Sequence, residues 1–312
     1  MLLLTSVDMD RVATAQREGT FVWIDLVDPS PADVKRLGEA LGLHPLAIED
    51  TLEWGQRPKL DRYRDHALIV YLSAREVPGS ERMFEPVELH IHLMPSAMVT
   101  VRRAAFAPLD ELRDSLSPDD RHHGAWFVYR VLDTLTDAYY PVLSSIQERL
   151  DTLETDVLAR PRESQLAVIY RLKQAVSMLY RRLEDQRNDF PEEGDELPLL
   201  GSAVRPYLRD IRDHLDQLIG ELHRVTIDLT GLADTYFNAN ANRLNRTATR
   251  LTLIGSFFLA WTLVTGFFGQ NFGWLVQHID SRTDFLIFGV GALVGSTVLV
   301  AALLWRQRHD WQ

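Results

Sequence analysis

The sequence predicts a small α/β domain, then long helices, then two membrane-spanning α-helices. Three observations carry that fold class. Runs rich in β-branched and aromatic residues alternate with helical segments up to about residue 122, and beyond that point the apolar pattern is helical only. Two C-terminal stretches then lack charge over lengths that match a bilayer. The expected divisions are 1–122 for the α/β domain, 123–250 for a helical bundle and stalk helix, and 251–312 for a membrane domain, with spans at about 251–269 and 285–305.

In the first part, FVWIDL (Phe21–Leu26), ALIVYL (Ala67–Leu72), VELHIHL (Val87–Leu93) and AMVTV (Ala97–Val101) have strand composition. SPADVKRLGEAL reads as a helix. Ser30 suits the N-cap, Pro31 the first helical position, Val34, Leu37 and Leu41 a buried side, and Gly42 the stop. His90 and His92 alternate onto one strand face, a metal-like spacing that lacks a third ligand and fits plain packing better.

Three helical stripes follow. The first is Leu143, Ile146, Leu150, Leu153 and Val157; the second is Leu166, Ile169, Leu172, Val176, Leu179 and Leu183. The third, Val204, Leu208, Ile211, Leu215, Leu218, Leu222, Val225, Leu229 and Leu232, alternates steps of four and three as a coiled-coil seam does. No proline separates Tyr207 from Gly269, so one helix of about 90 Å can run on through the first span. Gly220 and Gly231 weigh mildly against it.

The chain has 312 residues, 33 basic and 44 acidic groups, a net charge of −11 and no cysteine. Disulfides, thiolate metal sites and cysteine nucleophiles are excluded, nucleic acid is disfavoured as a partner, and cations are favoured. A mean hydropathy of −0.12 hides an uneven distribution. Leu251–Ile279 and Phe285–Trp305 contain no Asp, Glu, Lys or Arg. A bilayer core of about 30 Å takes about 20 helical residues, which both stretches supply. Their place at the C-terminal end sets them apart from a signal peptide. Arg243, Arg246 and Arg250 precede the first span and Arg306 and Arg308 follow the second, whereas the intervening loop has only Arg282. That bias puts both termini in the cytoplasm and the loop outside, across a plasma (inner) membrane.

Along the long helix a second set recurs at three and four: Asp234, Asn238, Ala241, Asn245, Ala248, Thr252, Gly255, Leu259, Thr262 and Gly266. Apart from Leu259 these are small or polar. Close helix contact and a water-lined path both fit such a face, and two spans cannot enclose a path without further copies. Gly269 and Asn271 are residue types that end helices. Phosphate loops, His-Glu-x-x-His and Gly-x-Ser-x-Gly are missing from the sequence, so no enzyme and no cofactor is expected.

FFGQN at 267–271 closes the first of two C-terminal spans, NRLN at 242–245 precedes it, and IEDTLEWGQRPKLDRY occupies 48–63. In this order and placement the chain resembles the CorA family of divalent-cation channels, whose motif is Tyr-Gly-Met-Asn. The resemblance implies a homopentamer with a funnel-shaped cytoplasmic domain and a pore lined by the first spans. It puts Asn271 in a ring that meets the hydrated ion at the external mouth, beside Gly269 and Gln270. Thr262 falls on a polar ring, Leu259 and Leu251 on a hydrophobic constriction, Gly255 and Gly266 on the same face, Asn245 on a deeper polar ring and Asp234 at the cytoplasmic entrance. A regulatory Mg²⁺ is implied at intersubunit acidic positions, for which Asp210 is the candidate among Asp210, Asp213, Asp216 and Asp228. Gln270 replaces the motif's Met, Phe268 its Tyr, and Gly273 stands where many members are acidic. With only Asp280, Asp284, Arg282 and His278, the external loop resembles the zinc-transporting ZntB branch, and His278 is a residue type that suits Zn²⁺. The expected function is thus transport of Mg²⁺ or Co²⁺/Ni²⁺, with Zn²⁺ as the alternative, and the partners are further copies, divalent cations and lipid. A membrane-anchored coiled-coil scaffold is the rival of another class. The acidic run Glu192, Glu193, Asp195 and Glu196 reads as a solvated loop, or as a local cation concentrator.

Overall fold

The structure, a computed structural model, describes residues 1–77, 83–116, 124–190, 204–270, 273–278 and 281–309. Asn271, Asp280 and the acidic run at 192–196 lie outside the described residues. Two compact units divide the chain, Met1–Thr235 and Tyr236–Gln312.

The first unit is built on a six-stranded sheet in the order β1-β2-β6-β5-β4-β3. β1 (Leu2–Leu4), β2 (Val22–Val27) and β6 (Ala97–Arg102) run parallel, with Ile24 opposite Val99. β5 (Phe84–Met94), β4 (Ala67–Glu76) and β3 (Lys59–Arg62) complete it as antiparallel neighbours. Helices cover both faces, which is why Ala67–Ala74 is buried without alternation. On one face α1 (Met9–Arg17), α2 (Pro31–Leu41) and α3 (Pro45–Leu52) meet Val22, Ile24, Leu26, Val99, Val101, Leu68 and Val70. On the other, α5 (Gly124–Asp137), α6 (Tyr139–Ala159) and α7 (Glu163–Asp189) pack on β4, where the Ser73 hydroxyl donates to the Leu135 carbonyl at 2.7 Å.

Local signals for α2 hold as expected. Ser30 accepts from the Asp33 amide, and Gly42 ends the helix at φ 69°, a conformation that burdens any residue with a Cβ. Three elements lacked a sequence signature. β1 is three leucines, β3 is the charged edge strand KLDR, and α4 (Ala107–Ser115) has no side-chain cap. Charge suits an edge strand, since it discourages pairing with other chains.

The long stripes are buried as periodicity requires, except that Leu166 at the start of the second is half-buried and Gln165 beside it is buried. All nine residues of the third, from Val204 to Leu232, are buried inside the single chain. Their helix α8 is continuous over Arg205–Phe268, 64 residues, and Gly220 and Gly231 lie within it. The seam is therefore satisfied by the chain's own bundle. Tyr129 of α5 bonds Asp210 at 2.8 Å and Arg187 of α7 bonds Asp216 at 2.9 Å.

In the second unit, the C-terminal part of α8 is joined by α9 (Gly273–His278) and α10 (Arg282–Asp284). A π-helical turn, Phe285–Val290, then leads into α11 (Gly291–His309). The second span thus begins as π-helix rather than α-helix. Arg205–Phe268 and Arg282–Arg306 each contain a stretch long and apolar enough to cross a membrane, and none of the residues in those stretches is fully buried within the chain. A core helix of a soluble domain would be covered, and these are not.

A buried ionic network fastens α4 to the sheet. Asp25, fully buried, accepts from Thr100 at 2.7 Å and from Arg102 at 2.8 Å, and Trp23 donates to Thr100 at 2.9 Å. Arg102 also pairs with Asp110 of α4 and, by hydrogen bonding, holds its carboxyl below the ordinary range. Replacing Asp25 by Ala strands part of a buried guanidinium, so Asp25→Ala should lower unfolding free energy by about 3–5 kcal/mol in denaturant titrations followed by tryptophan fluorescence.

Candidate functional site

The C-terminal part of α8 has two contrasting sides. Leu253, Ser256, Phe257, Ala260, Val264 and Phe268 are half-buried, at helical spacing. On α11 the half-buried set is Ala292, Leu293, Ser296, Thr297, Val300 and Leu304. A hydrogen bond from Trp261 Nε1 to Thr297 Oγ1, 2.9 Å, joins the two helices and identifies these as facing sides. Small residues on both allow close approach.

The predicted pathway residues fall on the other side. At about 100° per residue, Thr252, Gly255, Leu259, Thr262 and Gly266 centre roughly opposite the half-buried set, and all five are exposed in the single chain. Leu259 is 73% exposed and Leu251 65%. Asn245 and Asp234 are exposed as well, as are Gly269 and Gln270 at the helix end. Asn271 lies outside the described residues.

The chemistry of this side is set by threonine. Thr262 and Thr252 each donate their hydroxyl proton to the carbonyl one turn back, Phe258 at 2.7 Å and Ala248 at 2.9 Å. Spending the proton on the helix leaves the oxygen lone pairs turned outward as acceptors. Such an oxygen can accept from a water that hydrates a cation. Gly255 and Gly266 have open space where a Cβ would stand, so nothing inside the chain requires them to be glycine. Gly269 differs: a Cβ there would sit 2.9 Å from the Thr265 carbonyl, where its own amide already bonds.

A second candidate lies in the first unit. Asp133 of α5, with Asp210 and His214 one turn apart on α8, brings three ligand atoms within 4.8 Å of one another. Among the described residues it is the one such group of three. Asp210 accepts from Tyr129, and Asp133 accepts from Arg130 at 3.2 Å through Oδ2. Asp133 Oδ1 and His214 Nδ1 lie 3.5 Å apart at ion-pair distance, with Asp137 3.9 Å from the same nitrogen, and both atoms are buried without a hydrogen bond. Burial, and then Asp137, push the Asp133 carboxyl above its usual range. A cation would supply what both orphaned atoms lack, and one carboxylate-imidazole set suits Zn²⁺, Co²⁺ or Ni²⁺ better than Mg²⁺. Sequence singled out Asp210 alone. The i, i+4 step to His214 was legible, whereas Asp133 comes from a distant helix.

The two strand histidines each have one ring nitrogen partnered. His92 Nε2 is 2.8 Å from Thr51, whose proton goes to the Ala47 carbonyl, and His90 donates to Glu88 at 2.8 Å and stacks on Trp54. Their Nδ1 atoms are buried without a hydrogen-bond partner, and among the described residues neither joins a group of three metal-ligating side chains.

Residues 18–306 match the family model described as CorA-like Mg²⁺ transporter protein. The cobalt/magnesium transport protein CorA of Thermotoga maritima is 26% identical over 278 residues, 87% of this chain and 79% of that protein. The zinc transport protein ZntB of Yersinia enterocolitica is 25% identical over 313 residues, 98% and 91% of the two chains. The structure of the CorA magnesium transporter from Methanocaldococcus jannaschii superposes with a TM-score of 0.77 at 19% identity, covering 91% of this chain and 90% of that one, a likeness of fold.

The glycines give a test of the site's geometry. Gly269→Ala should disturb the span's last turn, whereas Gly255→Ala and Gly266→Ala should leave the fold of the individual chain intact. Thermal unfolding of the detergent-solubilised protein, followed by circular dichroism, checks both expectations.

Proposed function

The chain belongs to the CorA-like Mg²⁺ transporter family, and from that premise we propose that it assembles as a homopentamer whose first spans surround a path for a hydrated divalent cation. It is a membrane transporter of divalent cations with two C-terminal spans, and not an enzyme. The observation that carries the pore reading is the exposure of Thr252, Gly255, Leu259, Thr262 and Gly266 on the side of α8 away from its own second span. Apart from Leu259, a lipid-facing side would gain little from these small and hydroxyl-bearing residues, whereas copies gathered about an axis would use them.

In this assembly Asn271 forms the outer ring with Gly269 and Gln270 beside it, Thr262 a second acceptor ring, and Leu259 and Leu251 the constriction. Asn245 and Asp234 follow toward the cytoplasm. Mg²⁺ parts with its waters reluctantly. Amide and hydroxyl oxygens hydrogen-bond those waters without stripping them, and neutral rings hold the ion weakly enough to release it. A leucine ring closes the path by excluding water. The membrane potential, about 2.3 kcal/mol per charge per 100 mV, drives a divalent ion twice as hard. The excess of arginine on the flanks supports cytoplasmic termini in a plasma (inner) membrane, with 1–122 and 123–250 inside. We read Mg²⁺ or Co²⁺/Ni²⁺ as the cargo, with Zn²⁺ as the alternative; relatives named for cobalt/magnesium and for zinc transport support a divalent cation of this class.

We read the Asp133, Asp210 and His214 group as a regulatory cation site, and the orphaned atoms of Asp133 and His214 favour it. Occupancy would stabilise whichever pore state holds the three ligands together.

Two measurements test these readings. Asn271→Ala should abolish dye-reported cation flux into proteoliposomes without changing assembly, and unchanged flux would count against the pore. A comparison of Mg²⁺, Co²⁺, Ni²⁺ and Zn²⁺, with and without a pH gradient, assigns the cargo. Separately, Zn²⁺ or Co²⁺ at about 100 times its Kd should stabilise the full chain by about 2.7 kcal/mol, and His214→Ala should remove that stabilisation.

A further inference from the structure

The facing sides of the two spans carry small residues, Ser256 and Ala260 on α8 and Ala292 and Ser296 on α11, beside larger apolar ones such as Leu253, Phe257, Leu293 and Val300, all half-buried. Apolar burial is non-directional, so it fixes the turn of the first span about its own axis only loosely. A hydrogen bond does, because it weakens steeply as it departs from linearity.

The Trp261–Thr297 bond has a definite polarity. Thr297 spends its hydroxyl proton on the Leu293 carbonyl at 2.8 Å, so its oxygen can only accept from the indole. The indole N–H is the only polar group of that side chain, and hydrocarbon offers it no other partner. Trp261 also directly precedes Thr262, about 100° away around the helix, and lies about 160° from Leu259. Turning the first span far enough to swing Thr262 off its direction would pull the indole from Thr297.

Building on the pore reading above, the geometry points to Trp261 as a positioning residue: its bond to Thr297 sets the rotation of the first span, so that Leu259 and Thr262 face the ion path. The bond has ordinary length, its donor and acceptor are unambiguous, and it ties the flank of the pore-lining helix to the neighbouring span of the same chain.

The absence of native cysteine makes the test direct, since Thr262→Cys or Leu259→Cys introduces the only thiol. The full-length chain in proteoliposomes is treated with a charged, membrane-impermeant methanethiosulfonate reagent, and adduct formation is timed by intact mass, a readout that needs no transport activity. With Trp261 and Thr297 intact, both thiols should react, because only a wet path ionises and reaches them. Thr297→Ser keeps the acceptor and should leave the rate at Thr262→Cys unchanged. Trp261→Phe and Thr297→Val should each slow it by about tenfold, the factor that corresponds to about 1.4 kcal/mol, and shift reactivity toward Phe258→Cys or Leu263→Cys on the flanks. Equal rates in all four backgrounds would overturn the positioning role and leave the pore intact. No reaction at either Thr262→Cys or Leu259→Cys in the native background would overturn the pore and the positioning role together. Should Thr297→Val fail to assemble, the comparison of native chain, Trp261→Phe and Thr297→Ser decides the matter alone.

Discussion

An α-helix satisfies its backbone polar groups within its own segment, and this is what lets one element serve two solvents. Helix α8 depends on that property. Its first half buries eight residues of an apolar stripe among the helices of the first unit, and its second half carries no charge from Leu251 to its end at Phe268. Neither proline nor a break separates the two. What changes along the helix is only which side is apolar and what covers it, so side-chain patterning alone decides where protein packing ends and lipid or another copy begins.

Periodicity made much of this legible. The stripes from Leu143 to Val157 and from Val204 to Leu232 are buried residue for residue, because a helix that packs on a bundle has one side to hide and declares it every three or four positions. The caps of α2 were equally plain. β3 and α4 were not, since KLDR is too charged to look like a strand and α4 is fastened by Arg102 reaching Asp110, a contact made across the fold. The candidate sites divide the same way. The pathway side of α8 is periodic and could be read, whereas the metal group needs Asp133, which no spacing connects to Asp210 and His214.

The coiled-coil scaffold loses its main support here. A seam offered to a partner chain has to be open in the single chain, and the residues from Val204 to Leu232 are already covered. Regular steps of three and four were a sign of a well-packed bundle in this case. The same helix then offers its open side further along, where the residues are Thr252, Gly255, Thr262 and Gly266, a set unsuited to a seam that depends on large apolar knobs.

That open side also bears on the choice between close packing and a water-lined path. Lipid rewards bulk, and the flanks at Ile254, Phe258, Leu263 and Phe267 supply it, all more than half exposed. Between those flanks the side chains shrink to glycine or end in a hydroxyl whose proton is already spent on the helix. Glycine alone would suit tight backbone contact. Outward lone pairs on Thr252 and Thr262 meet no donor within the described residues of the single chain, and a hydrated cation would present donors in every direction. Leu259 lies between them: in the proposed assembly an apolar ring one turn from a polar one would be a poor surface for continuous solvation and a good one for interrupting it. Packing alone accounts for the glycines, and the proposed wet axis would give the threonine oxygens donors as well.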